Sequence, residues 1–260
     1  MLGAIAGDIV GSAYEFKNIK RKDFEPLFHP TARFTDDTVC TIAIADTLLS
    51  GKDPAKTLQE WCQRYESNGR WGRRFAAWIT SDNPQPYGSL GNGAAMRVGP
   101  AGLLAISIEE AIANATRVTQ ITHDHPEGIK AGQAVSVAVF MAREGFSAEH
   151  IRNELSKMFG YVLTETVDSI RPSYTFTEAS QDSVPQAIVC ALEATSFEDA
   201  LRNAVSIGGD SDTIAAIAGS IAEARFGVPE PIALKTWSYL PQDMQEVLRR
   251  LYGSVPIKRN

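Results

Sequence analysis

Cysteine is nearly missing from this 260-residue chain, and a surplus of positive charge is missing altogether. The three cysteines, Cys40, Cys62 and Cys190, share no metal-ligand spacing, and each lies in an apolar helical context. That pattern argues against a disulfide-stapled scaffold and a zinc finger, and it fits reduced core residues. Lys and Arg number 25 against 31 Asp and Glu, for a net charge of -6. A general nucleic-acid binder is therefore not expected, because phosphate neutralisation needs a clustered cationic excess. The dense basic stretch Lys17 to Lys22 reads as a solvated loop, with a phosphate-facing or partner-facing role as its alternative. Long apolar runs are absent as well: none approaches membrane-spanning length. Asp8 interrupts Leu2 to Val10, where a secretory apolar region would have to lie. A cytoplasmic protein without a membrane partner is the expectation, with a monomer as its favoured state.

Strand-like alternation is also scarce, and only Ser173 to Thr177 suggests extended chain. Helical periodicity dominates instead. Val39 to Leu49 is an apolar run ended by Gly51, and Asp53-Pro54 then supplies an N-cap and a first-turn proline. Ser107, Ser147 and Ser196 each stand before a further helical pattern as caps. Gln133 to Arg143, Val184 to Ala194, Ile214 to Phe226 and Met244 to Leu251 add more helices. Gly3, Gly7 and Gly11 share one face of a possible first helix, and Ala215, Ala218, Gly219 and Ala222 form a later small-residue stripe. Such stripes let two buried helices pack closely. The expected fold is all-α, a compact single-domain bundle of roughly a dozen helices over residues 1–260.

Against that background, two acidic clusters read almost as copies of each other: Thr35-Asp36-Asp37-Thr38 and Asp210-Ser211-Asp212-Thr213. The second is led by Gly208-Gly209, and each opens an apolar helical run. One carboxylate at a helix N-terminus is favoured by the dipole and can cap free N–H groups. Two ionised carboxylates side by side repel unless a cation sits between them, and hard divalent cations take oxygen ligands of this kind. The pair predicts a split metal site, closed when two helix starts meet.

Three further stretches exceed what packing needs. Gly88 to Arg97 is dense in glycine, a composition that lets backbone N–H groups approach a phosphate, or that simply makes a turn. Thr122-His123-Asp124-His125 places two histidines at a helix junction, as ligand contacts or as a structural cap. Asp8 and Glu15 bracket a glycine-punctuated helix; Asp8 can hydrogen-bond within a helix junction, and Glu15 is free to reach a cleft.

Taken in order, Gly7-Asp8-Ile9-Val10-Gly11-Ser12-Ala13-Tyr14-Glu15, Thr35 to Thr38, Gly91 to Arg97, Thr122-His123 and Gly208 to Thr213 resemble the ADP-ribosylglycohydrolase family. The resemblance implies an all-α fold with a central dimetal cleft holding two divalent cations, Mg²⁺ or Mn²⁺. It implies hydrolysis of the bond between ADP-ribose and an acceptor, a protein side chain such as arginine first among them. By the same resemblance, Thr35, Asp36, Asp37, Asp210, Asp212 and Thr213 are the metal-binding residues, and Glu15 lies over the metals. Gly88, Ser89, Gly91, Asn92, Gly93 and Ala94 match the diphosphate loop, Met96 lies behind it, and His123 approaches the adenosine side.

Catalytic weight falls on Asp37, Asp212 and Glu15. Leu90 replaces an aromatic residue that some members carry against the adenine, so stacking is expected from Tyr87 or Trp71. Asn68 to Asn83 is the expected cleft rim, with Asp82 as an acceptor-side acid or base, and Asp182-Ser183-Val184-Pro185 as another cleft-lining turn. The alternatives are hydrolysis of a free derivative such as O-acetyl-ADP-ribose, metal-dependent phosphoester hydrolysis, and a catalytically silent structural relative.

Overall fold

The structure is a computed structural model in which residues 1–256 are described. The chain opens with α1 (Leu2–Gly11), α2 (Asp36–Ser50), α3 (Pro54–Arg64), α4 (Arg73–Ile79) and α5 (Gly99–Leu104), with long loops before α2 and α5. The chain continues through α6 (Ile108–Thr119), α7 (Pro126–Arg143), α8 (Ala148–Phe159), α9 (Val167–Ile170) and α10 (Ser180–Glu193). It ends with α11 (Phe197–Ile207), α12 (Ser211–Phe226), α13 (Glu230–Trp237) and α14 (Gln242–Ser254). Among the described residues the only β pairing is one isolated antiparallel bridge, Gly91 to Ala179. The fold is all-α, as the periodicity predicts.

The caps fall where the sequence places them. The side chains of Asp53, Ser107, Ser147 and Ser196 accept from the N–H groups of Lys56, Glu110, His150 and Asp199 at 2.9–3.2 Å, satisfying donors that a helix start leaves open. Two helices begin earlier than their apolar patterns. Helix α7 starts at Pro126, capped by His125. Its first turns carry Gly128 and Gly132, which lie against His123 and Thr119 where a Cβ would collide. Helix α10 starts at Ser180 and carries Pro185 inside it, so the expected turn at Asp182 to Pro185 is helical.

Helix α12 is the central element, buried from Ser211 through Ala222 and packed by α1, α7, α10 and α11. It runs antiparallel to α1 at backbone contact. A Cβ added at Gly3, Gly7 or Gly11 would stand 2.4, 2.0 or 2.3 Å from the carbonyl oxygens of Gly219, Ala215 and Ser211. No side chain fits those gaps, so the glycine stripe sets the approach. The consequence reaches beyond packing: the C-terminal end of α1 is laid against the first turn of α12, bringing Asp8 and Glu15 to Asp212.

Candidate active site

Three chain segments deliver carboxylates to one place. Helix α2 begins with Thr35 as its N-cap, whose hydroxyl accepts from Asp37 N–H at 3.4 Å. Helix α12 begins after Gly208 and Gly209, both at positive φ (+73° and +76°), a conformation that other residues reach only with strain. Asn18 clamps this turn, donating to the Gly209 carbonyl at 2.9 Å and accepting from the Gly209 N–H at 2.8 Å. Tyr174 closes it from the other side, its ring leaving no room for a Cβ at Gly209. The third segment is α1, held by its glycines.

Within the floor, Asp8, Asp37 and Asp212 present oxygens within 4.8 Å of one another, and so do Glu15, Asp210 and Asp212. Asp8 is saturated. Thr35 donates to it through N–H (2.8 Å) and hydroxyl (2.7 Å), and Thr38 does so through N–H (3.1 Å) and hydroxyl (2.5 Å). Burial still pushes the Asp8 carboxyl up to about 6. Asp37 joins the two clusters, accepting from the hydroxyls of Thr35 at 3.3 Å and Thr213 at 3.4 Å through Oδ2. Burial first, then the charges of Asp8, Asp36 and Asp210, raise Asp37 well above the usual carboxylate range. Asp212 is raised the same way, by burial and then by Asp37 and Asp210. Glu15 rises to about 7 by burial, opposed by Arg70.

So many acids in one buried place call for positive charge. The observation that tests a cation is Asp37 Oδ1, a buried carboxylate oxygen with no hydrogen-bond partner. An orphaned oxygen in an all-oxygen donor set of Asp and Thr fits hard divalent cations of the Mg²⁺ and Mn²⁺ kind.

Above the floor opens a cleft of about 410 Å³. Glu15, Asp36, Asp37, Asp210, Asp212 and Thr213 line it, together with Ser89, Gly91, Asn92, Gly93, Met96 and His123. Of the expected metal and diphosphate-loop residues, Thr35, Gly88 and Ala94 do not line it. Thr35 faces Asp8, Gly88 donates its N–H to Asp124 at 2.6 Å, and Ala94 is buried in the short 3₁₀ turn Asn92–Ala94. Asn92 couples the loop to the floor by donating to Asp210 Oδ2 at 2.8 Å.

The state of His123 follows from its neighbours. Arg97 is 1% exposed and donates to Thr122 Oγ1 at 2.8 Å. A guanidinium has only donors, so Thr122 accepts there, which leaves its own hydroxyl proton free for His123 Nδ1, 2.7 Å away. An imidazole that accepts it is neutral with its hydrogen on Nε2, the nitrogen nearest Gly91 and Gly93. Burial, reinforced by the Arg97 charge, holds His123 well below its usual value, in keeping with that tautomer.

Several expectations are corrected. Tyr87 lines the cleft but Trp71 does not: it packs against the core, and its Nε1–H donates to the Glu66 carbonyl at 3.2 Å. Asp82 is exposed and outside the lining, and Asp182 lines a separate cavity with Glu165, Tyr174 and Gln186. The Lys17 to Lys22 loop is not simply solvated. Lys20 donates to the carbonyls of Tyr174 and Ile207 (2.6 and 2.5 Å), and Lys22 pairs with Asp199 at 2.6 Å.

Within the expected rim, Asn68 to Asn83, it is Arg70, Arg73, Arg74 and Phe75 that line the cleft, where sequence reasoning singled out Trp71 and Asp82; Phe176 and Glu178, which line it too, were missed. Three arginines within five residues were a readable signal; nothing near Phe176 and Glu178 was.

Similarity to known proteins agrees with this geometry. The chain is 25% identical to an ADP-ribosylarginine hydrolase of Pseudomonas putida (strain GB-1), over 98% of this chain and 77% of that one. It is 26% identical to an ADP-ribosylhydrolase of Bos taurus, with 88% and 84% covered. It is also 26% identical to the ADP-ribosyl-[dinitrogen reductase] glycohydrolase of Rhodospirillum rubrum, with 88% and 85% covered. A solved structure described as an ADP-ribosylglycohydrolase-related protein complex superposes with a TM-score of 0.72 over 97% of this chain and 96% of that chain, at 23% identity. The family's sequence profile matches residues 1–257, and with it the chain belongs to the ADP-ribosylglycohydrolase family.

Proposed function

We propose that the cleft holds an ADP-ribosyl group with its diphosphate against the Ser89 to Met96 segment and its anomeric carbon over the carboxylate floor. The chain is an ADP-ribosylhydrolase, cleaving the bond between ADP-ribose and an acceptor. The observation that carries this reading is the convergence of carboxylates from α1, α2 and α12 beneath a glycine-rich loop that Asn92 ties to Asp210. A relative named for ADP-ribosylarginine and another for ADP-ribosylated dinitrogen reductase favour a protein-linked, arginine-type acceptor. The intact acid set speaks against a silent structural role.

Asp36, Asp37, Asp210, Asp212 and Thr213, with Glu15 above them, would hold two divalent cations, Mg²⁺ or Mn²⁺, which when bound would orient ribose hydroxyls and acidify a water. Every other contribution comes from the chain. Asp37 and Asp212 fix the floor's charge, and Asp8 stiffens it through Thr35 and Thr38. Ser89, Gly91 and Gly93 offer the close approach that an anion requires, and His123 adds a neutral Nε2–H donor beside them. Phe75, Tyr87 and Phe176 line the cleft with aromatic rings, and of these we assign Tyr87 to the adenine. One domain over residues 1–260 is supported by a core cluster running from Met1 to Leu251. No helix among the described residues is long and apolar enough to cross a membrane, and we place the protein in the cytoplasm as a monomer.

The test is release of ADP-ribose from arginine-linked, serine-linked and O-acetylated substrates. ADP-ribose from at least one supports the reading, and AMP as the product would replace it with phosphoester hydrolysis.

A further inference from the structure

Arg70 stands apart from the other cleft arginines because it is set against the acids. Its Nη1 lies 3.3 Å from Glu15 Oε2, and its guanidinium carbon lies 4.4 Å from the centre of the Phe16 ring. Glu15 in turn has an oxygen within 4.8 Å of Asp210 and Asp212 oxygens. A carboxylate edge combined with an aromatic face is how proteins recognise a planar guanidinium. Arg74, by contrast, lies over the Tyr87 ring and donates to the Tyr87 carbonyl, so it belongs to the loop side.

The backbone behind Arg70 is fixed while its side chain is not. Its N–H donates to Asp36 Oδ1 at 3.3 Å, and the next residue, Trp71, is anchored in the core beside Phe75. The Arg70 side chain is 48% exposed against 13% for Glu15, so the cationic end of the pair is open to water and can be exchanged while the carboxylate stays in place. The chain thus keeps a guanidinium of its own at the acid floor, on a fixed stalk, held by an interaction that a competitor can replace.

We propose that Glu15 and Phe16 form a guanidinium-binding acceptor subsite that Arg70 fills between turnovers, and that Arg70 sets acceptor preference by competing for it. This rests on the ADP-ribosylhydrolase reading of the cleft. An arginine-linked ADP-ribose brings its own guanidinium and displaces the Arg70 side chain into solvent. An uncharged serine-linked acceptor has nothing to exchange for the Glu15 contact, and Arg70 stays where it is.

The experiment compares the wild-type chain with Arg70→Ala, Arg70→Lys and Phe16→Ala. Binding of N-methylguanidine is measured by calorimetry with methylammonium as the control, alongside hydrolysis of arginine-linked and serine-linked substrates. Arg70→Ala is expected to bind N-methylguanidine about two- to fivefold more tightly, the range that loss of an exposed competing pair allows. KM for the arginine-linked substrate falls by the same factor while that for the serine-linked one does not, and Arg70→Lys lies between. Phe16→Ala weakens N-methylguanidine binding. Equal affinity in wild type and Arg70→Ala overturns the proposal, as does methylammonium binding equally well. A rise in KM for both substrates in Arg70→Ala overturns it too, since that is the signature of a phosphate-holding arginine. Arg70-dependent guanidinium binding without any ADP-ribose release would remove the reading of the cleft and keep the subsite. Hydrolysis without guanidinium binding would remove the subsite alone.

Discussion

Thr35 to Thr38 and Asp210 to Thr213 nearly repeat each other and start two helices, yet the fold uses them differently. In the first cluster both threonines donate to Asp8, so the cluster is gripped from α1, and one oxygen of Asp37 is left without a partner. In the second, Thr213 reaches across to Asp37 and Asp210 turns away to Asn92. Asp210 is the N-cap residue of α12, but its side chain makes no cap bond. Similar local chemistry thus produces a rigid anchor on one side and a connection to the glycine loop on the other. The difference lies in what each helix start meets, since hydrogen-bonding groups in a buried site take whatever partner the packing presents.

Removing either cluster's central carboxylate breaks the pair most severely. Asp37→Asn and Asp212→Asn should fold normally and lose on the order of 10²–10³ in kcat, the scale of losing one preorganised electrostatic group. Near-normal turnover with saturating Mg²⁺ in either variant would contradict the shared floor. Chelation with EDTA should abolish activity and Mg²⁺ or Mn²⁺ should restore it; full activity in metal-stripped protein would count against the cation fit.

Separating the clusters instead of altering them is the next largest effect. Gly7→Val pushes a side chain into the Ala215 carbonyl and should cost about 3 kcal/mol or more, as overpacking without room to relax does. Denaturant melts would show it, and an unchanged midpoint would mean that α1 and α12 can part without cost.

Two milder variants sharpen the asymmetry. Thr38→Val removes one donor from buried Asp8 and should lower stability by about 1.5–3 kcal/mol, the range for hydrogen bonds to charged groups. Asn92→Ala should fall mainly on KM, because Asn92 links Asp210 to the loop; equal stability losses in both would erase the distinction. Smallest is Thr122→Val, which frees the His123 tautomer and should raise KM about fivefold, corresponding to roughly 1 kcal/mol for one hydrogen bond. An unchanged KM would remove His123 from substrate contact.

Much of this is legible in the sequence. Cap residues and apolar spacing located most helices because both act within one or two turns. The glycine stripe at residues 3, 7 and 11 announced a close helix contact, although its partner could not be named. Asn68 to Asn83 was legible as a rim, but not which of its side chains face the cleft, since a solvated rim and a cleft wall have the same composition. Phe176 and Glu178 carried no signal. They lie in the irregular stretch between α9 and α10, whose position depends on the Gly91 to Ala179 bridge and on Lys20 holding the Tyr174 carbonyl.

The sequence by itself determined that the chain is helical and that two helices start on paired acids. It also determined that a glycine-rich loop lies between them, because each of those facts depends on neighbours along the chain. Only the tertiary structure decided that Asp8 is spent on Thr35 and Thr38, that Asp37 keeps an orphaned oxygen, and that Arg70 stands beside Glu15. Those outcomes depend on backbones meeting at 2–3 Å and on which side chains burial leaves within reach, and neither quantity is written in local order.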